Sequence, residues 1–201
     1  MSTSTFTTQI ETLKWQAFHW RKNSSLTTKL FLSLGGALVI GLSSLMKVYL
    51  LWTPVPLTGQ TFSILLVGLL LGADTGAAST LIYLLLGGMG LPWFTQSGGW
   101  SVFAGPTGGY LIGFIFASFT VGYFTDQFSS ARRMPGLLFL MLAANFIFIH
   151  GMGMLGLSLA TGIHSPLALF AMGSLPFIAG DLIKLSAAVA VARVLAPRDN
   201  F

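Results

Sequence analysis

The chain contains no cysteine. That excludes a disulfide framework, a thiolate metal site and a cysteine nucleophile, and it leaves the redox compartment unread. Charge is almost as scarce. Asp, Glu, Lys and Arg make up 7% of the 201 residues, where soluble domains carry about 25%. No charged residue stands between Asp74 and Asp126, or between Arg133 and Asp181. With 54% hydrophobic residues and a mean hydropathy of +0.80, this is the composition of an integral membrane protein. Spans of about 20 residues use most of the length, so a single domain is expected.

The net charge of +5 is explained by topology and not by nucleic acid. The basic residues stand at segment ends, not in a patch interleaved with aromatics. Apolar runs punctuated by Pro and Gly predict an all-α, polytopic membrane fold of six transmembrane helices, at about 30–51, 60–72, 76–91, 106–124, 135–158 and 177–196. Residues 1–29 precede them as a polar tail, in which Ile10, Leu13, Ala17 and Trp20 fall near one helical face. A short interfacial helix and a partly ordered tail both fit. The first apolar run begins too late for a cleaved signal peptide. A six-helix substrate-binding domain is expected over 30–197.

Residues 92–104 read as an uncharged loop, and 167–174, between Pro166 and Pro176, as a loop or half-helix. The second and third spans are short, which points to tilt or to burial beside a cavity. Six spans place both termini on one side. The tail, Arg132, Arg133, Arg193 and Arg198 all fall there, which makes that side cytoplasmic. Lys47 and Lys184 then lie toward the outer ends of their spans, and Asp74 and Asp126 at cytoplasmic turns.

Asp181 and Lys184 carry the chemistry. A charge inside such a run costs roughly 2.5–3.5 kcal/mol on insertion scales and marks a functional site by default. At i, i+3 the two share a helix face and can pair. They could equally grip two ends of a polar ligand, Lys184 taking a carboxylate and Asp181 accepting from N–H donors; a structural ion pair is the plainer alternative. Pro176 and Gly180 loosen the segment before them and set Asp181 near a helix N-terminus, where the dipole favours anions.

Other motifs exclude more than they assign. Gly105-Pro106-Thr107-Gly108-Gly109-Tyr110 lacks the Gly-Lys-Ser/Thr ending of a phosphate loop, so ATP-powered transport would need ATPases on other polypeptides. Asp181 has no second carboxylate to make a protease pair, so an enzyme is not expected. His150 and His164 have no nearby carboxylate or thiol and read as interhelical or loop hydrogen-bonders. Trp52, Trp93 and Trp100 fit an interfacial belt, with Trp93, Phe94 or Trp100 over a ligand as the second reading. Gly105, Gly109, Gly113 and Ala117 form a small-residue stripe for close helix packing. A similar stripe, Ser33, Ala37 and Gly41, is expected to dock on a transmembrane partner.

Four segments in order resemble the signatures of the BioY family: Pro54-Val55-Pro56-Leu57-Thr58-Gly59-Gln60-Thr61, Leu84 to Pro92, Gly105 to Gly113, and Leu175 to Lys184. These are the biotin-binding S components of energy-coupling factor (ECF) transporters. The resemblance covers about residues 30–197; Gly59 departs from it, standing where an apolar residue is usual. It implies a six-helix protein that binds biotin with high affinity from outside, with no cofactor, and topples in the lipid membrane when docked on a transmembrane T component driven by two ATP-binding-cassette ATPases. Asp181 and Lys184 match the family's acidic and basic ligand contacts. Gln96, Trp100, Tyr110 and Asn145 are further candidates. Biotin's carboxylate, apolar bicycle and ureido group suit an apolar pocket with few polar groups. A self-sufficient secondary carrier is the alternative, and would predict proton- or sodium-dependent uptake by this chain alone.

Overall fold

Backbone in lipid must satisfy its own N–H and C=O groups, and a helix does so within one segment. The computed structural model describes residues 3–94 and 98–197 and is helical through nearly every apolar run. Helix α1 (Thr3–Asn23) is followed at once by α2 (Leu26–Ser44), whose first turn is capped by Ser25 Oγ accepting from Thr28 N at 3.2 Å. A short antiparallel ribbon then pairs β1 (Lys47–Val48) with β2 (Leu57–Thr58), Lys47 facing Thr58. The first span therefore ends at Ser44 and not at residue 51: Pro54 and Pro56 cannot continue a helix, and the chain turns back as an extended pair.

Next come α3 (Gln60–Leu71), α4 (Ala73–Gly88), α5 (Gly108–Gln127), the single turn α6 (Ser129–Arg132) and α7 (Met134–Ala143). A π-helical turn over Ala144–His150 joins α7 to α8 (Gly151–Thr161). The half-helix reading of 167–174 becomes α9 (Pro166–Gly173), linked through a 3-10 turn, Leu175–Phe177, to α10 (Ile178–Leu195).

Four helical stretches are long and apolar enough to cross a membrane: Leu26–Ser44, Gly108–Gln127, Met134–Thr161 and Pro166–Leu195. The expected count of six is not met by length, because α3 has 12 residues and α4 has 16. At 1.5 Å per residue α3 reaches about 18 Å, well short of a hydrocarbon core of about 30 Å. Protein covers it instead. Ile64, Leu65 and Leu69 are fully buried, and α2, α4, α5 and α10 pack around it.

Helix α5 sits between α3 and α4 on one side and the π turn and α8 on the other. Its small residues make this possible. A Cβ at Gly109 would lie 2.9 Å from Gly156 Cα, and one at Gly113 would lie 3.0 Å from Ile149 Cα. Gly109, Gly113 and the buried Ala117 thus serve internal packing, whereas Gly105 precedes the helix. The other stripe is also internal, which corrects the expectation of a docking face. Ser33, Ala37 and Gly41 are buried, and Ser33 Oγ donates to Thr75 O of α4 at 3.3 Å.

Helix α1 packs across the basic end of the bundle. Arg21 lies 2.5 Å from Asp126 and 3.7 Å from the centroid of the buried Phe18 ring. Burial lowers the Arg21 guanidinium from its ordinary range, and Asp126 opposes that shift. Gly72, with φ +86°, turns α3 into α4 under this guanidinium, where any Cβ would collide with it. Leu13 and Trp20 face outward.

Candidate ligand-binding site

The 3-10 turn containing Pro176 resets the chain before α10, so Asp181 falls in the first turn of that helix, where the dipole favours a negative charge. Lys184 follows one turn later. Asp181 is 2% exposed, and its carboxylate is compensated on both oxygens. Oδ1 lies 2.6 Å from Lys184 Nζ; Oδ2 accepts from His150 Nε2 at 2.7 Å and from Asn145 Nδ2 at 3.1 Å. Lys184 also donates to Thr58 O at 3.0 Å and to Thr61 Oγ1 at 3.4 Å. A buried pair offsets its desolvation cost only with such additional hydrogen bonds.

Above this network lies a cavity with about 550 Å³ of free space, counting its open mouth. Leu57, Thr58, Gln60 and Thr61 form one wall, Tyr110, Leu111 and Phe114 another, and His150, Phe177, Asp181 and Lys184 complete it. Mostly apolar walls with a few converging polar groups are the usual form of a small-molecule site. Deeper still, Gln60 Nε2 donates to Tyr83 OH, which in turn donates to Trp93 O at 3.2 Å.

The contact between Asp181 and Lys184 revises one expectation. Groups 2.6 Å apart cannot hold two ends of an extended ligand at once. Together they form a neutral patch. It presents an ammonium beside a carboxylate oxygen, Oδ1, whose lone pairs are not all used by Lys184.

The other candidates separate clearly. Tyr110 lines the cavity, and its hydroxyl donates to Gly173 O at 2.6 Å, tying α5 to the end of α9. Asn145 is fully buried behind Asp181 and is absent from the wall. Trp100 is 58% exposed, stacks on Phe103 at 5.6 Å and does not reach the wall; Phe94 does. Gln96 lies outside the described residues. The reading that left His150 without a nearby carboxylate is overturned by Asp181, 31 positions away. An ionisable side chain inside an uncharged run was the signal for it. Thr58, Gln60 and Thr61 carried none beyond their motif. Among the described residues, no three of His, Asp and Glu are grouped to hold a metal.

The BioY family model matches residues 12–200 of this chain. A probable biotin transporter BioY of Methanothermobacter thermautotrophicus is 44% identical over 140 residues, covering 67% of this chain and 89% of that protein. The biotin transporter BioY of Lactococcus lactis subsp. cremoris is 33% identical over 184 residues, covering 90% and 95% respectively. A crystal structure of the S-component for biotin from an ECF-type ABC transporter superposes with a TM-score of 0.75 at 31% identity, over 85% of this chain and 92% of that one. The family model spans nearly the whole sequence and these relatives agree along most of it, so this multi-pass membrane protein belongs to the BioY family.

Proposed function

We propose that the chain captures biotin from outside the cell and passes it across the cytoplasmic membrane as the substrate-binding subunit of an ATP-driven ECF transporter. The observation that carries this reading is the Asp181–Lys184 pair in the wall of a small, mainly apolar cavity, in a member of this family. The chain has no phosphate-loop motif, so the energy enters through a transmembrane T component and its ATPases. Binding of biotin by the purified protein in a calorimeter tests the first step. A flat titration would end the proposal.

Within this reading, the pair meets the ureido end of biotin. Lys184 donates to the ureido oxygen, and Asp181 Oδ1 accepts from the neighbouring N–H. A neutral ion pair complements a neutral group with an acceptor beside a donor, and it offers little to a free carboxylate because Asp181 already cancels the cation. The carboxylate end then lies toward the mouth.

The membrane arrangement is a six-pass bundle over 30–197 with both termini cytoplasmic. α3 and α4 make two short passes shielded by their neighbours, and α1 lies on the cytoplasmic end. Arg21, Lys22, Lys29, Arg132, Arg133 and Arg193 gather at the ends of α1, α6 and α10 and the start of α2, as the positive-inside rule requires. Because the chain is cysteine-free, single cysteines report cleanly. Leu51→Cys, fully exposed beside the ribbon, should react with an impermeant maleimide in intact cells. Asn23→Cys should react only after the membrane is opened. The reverse pattern would invert the topology and place the cavity on the wrong side.

A further inference from the structure

The structure contains a buried hydrogen-bond device that the ligand contacts do not explain. Asn145 and His150 both donate to the same oxygen of Asp181, yet they stand five positions apart. In an α-helix, residues five apart diverge by about 140° around the axis. Here Ala144–His150 is a π turn, whose wider i→i+5 winding brings such residues back toward one face. The irregularity is what lets both side chains reach Asp181. Its cost is visible in two polar atoms, Asn145 Oδ1 and His150 Nδ1, which are buried without a hydrogen-bond partner. Buried orphan atoms are rare and each calls for a reason.

His150 sits in an apolar cage. The rings of Phe146, Phe177 and Tyr110 surround it at 4.9, 6.2 and 6.3 Å between centroids. It is 3% exposed. At 2.7 Å from a carboxylate oxygen, its Nε2 must carry the proton and donate. With Oδ2 held by two donors, Asp181 cannot rotate, and Oδ1 is left to fix Lys184 at the cavity wall.

We infer that His150 is a positioning residue for ligand capture, presented by the π turn so that its Nε2–H locks the Asp181 carboxylate, and with it Lys184, in binding geometry. Asn145 supplies the second donor and is likewise a positioning residue, not a ligand contact. This rests on the proposed biotin site, but its first readout does not. The chain has three histidines, so nitrogen NMR of the ligand-free protein in detergent, with His19→Gln and His164→Gln for assignment, reads the His150 tautomer directly. A neutral ring protonated on Nε2, or an imidazolium hydrogen-bonded through Nε2, is expected. A ring protonated only on Nδ1 overturns the inference whatever the ligand proves to be.

The second readout is biotin affinity across substitutions that separate the two ring nitrogens. Glutamine can place its amide nitrogen near the Nε2 position, and asparagine near Nδ1. His150→Gln should stay within a few-fold of the parent. His150→Asn and His150→Phe should each weaken binding by about tenfold to a hundredfold, the range for a lost hydrogen bond to a charged group. Retention by His150→Asn with loss by His150→Gln would make His150 a direct ligand contact through Nδ1 and sink the positioning role. Equal retention or equal loss by all three would reduce it to cage packing. Deleting Ile147, an exposed residue within the π turn, should restore α-helical winding, part Asn145 from His150 and abolish binding while the protein stays monodisperse. Full binding by that deletion would refute the role assigned to the turn. No binding by the parent protein would remove biotin as the ligand and leave the tautomer result as the test.

Discussion

Asp181→Ala is expected to lower biotin affinity by at least a hundredfold. The substitution removes the proposed acceptor of the ureido N–H and also strands Lys184, a half-buried cation left with only neutral oxygens from Thr58 and Thr61. Breaking one side of a buried, hydrogen-bonded pair costs about 3–5 kcal/mol, equivalent to roughly a hundredfold to several thousandfold. Lys184→Ala should cost less, about 1.5–3 kcal/mol, since Asp181 keeps its bonds to His150 and Asn145. Two analogues decide which end of biotin the pair reads. Biotin amide, with its carboxylate neutralised, should bind the parent protein nearly as well as biotin does. Diaminobiotin, which lacks the ureido carbonyl, should bind poorly and lose little more in Lys184→Ala. The opposite ranking would assign Lys184 to the carboxylate.

Gly109→Val should be the most damaging change far from the charges. The added carbons would enter the space of the Met152 carbonyl and Gly156 on α8, so α5 and α8 must separate along their crossing. Overpacking a tight core costs typically 1–3 kcal/mol and occasionally more, and no flexible side chain is present here to yield. A large fall in thermal midpoint and aggregation on extraction are the expected signs. Gly105→Val, before the helix and 3.3 Å from only one backbone oxygen, should be mild. Equal tolerance of both would show that the stripe does not set the helix approach.

The contrast between those two glycines shows what four-residue spacing reveals. It marks a close-packing face, but it does not say which helix lies opposite. For that reason Ser33, Ala37 and Gly41 read as a partner surface when they are in fact buried within the chain, Ser33 against Thr75 of α4 and Gly41 against the Trp93 ring. Apolar runs located the membrane-crossing helices, and α3 ends within a residue of its expected bounds, whereas the polar α1 left helix and tail both open and the first span was read too long where the backbone leaves the α form after Ser44. Asp181 and Lys184 were legible because a charge in a run without charge needs a reason. His150 was not read as their partner, because its bond to Asp181 crosses 31 positions and depends on a π turn. Nothing in the local composition of Ala144 to His150 signals that winding. Trp100 shows the opposite failure: an aromatic residue in the uncharged loop over 92–104 can pack outside the cavity.

The bond from Lys184 to the carbonyl of Thr58 joins points 126 positions apart. No fragment of the chain owns the cavity; its walls exist only after the first ribbon and the last helix have met. With biotin as the proposed ligand, its presence during synthesis is expected to act on the yield of mature protein as well as on transport. A ligand at a thousand times its dissociation constant adds about 4.1 kcal/mol to the assembled state alone. Weakened variants such as those with altered helix crossings become rescuable by the vitamin itself, and growth medium becomes a hidden variable in any comparison of their abundance.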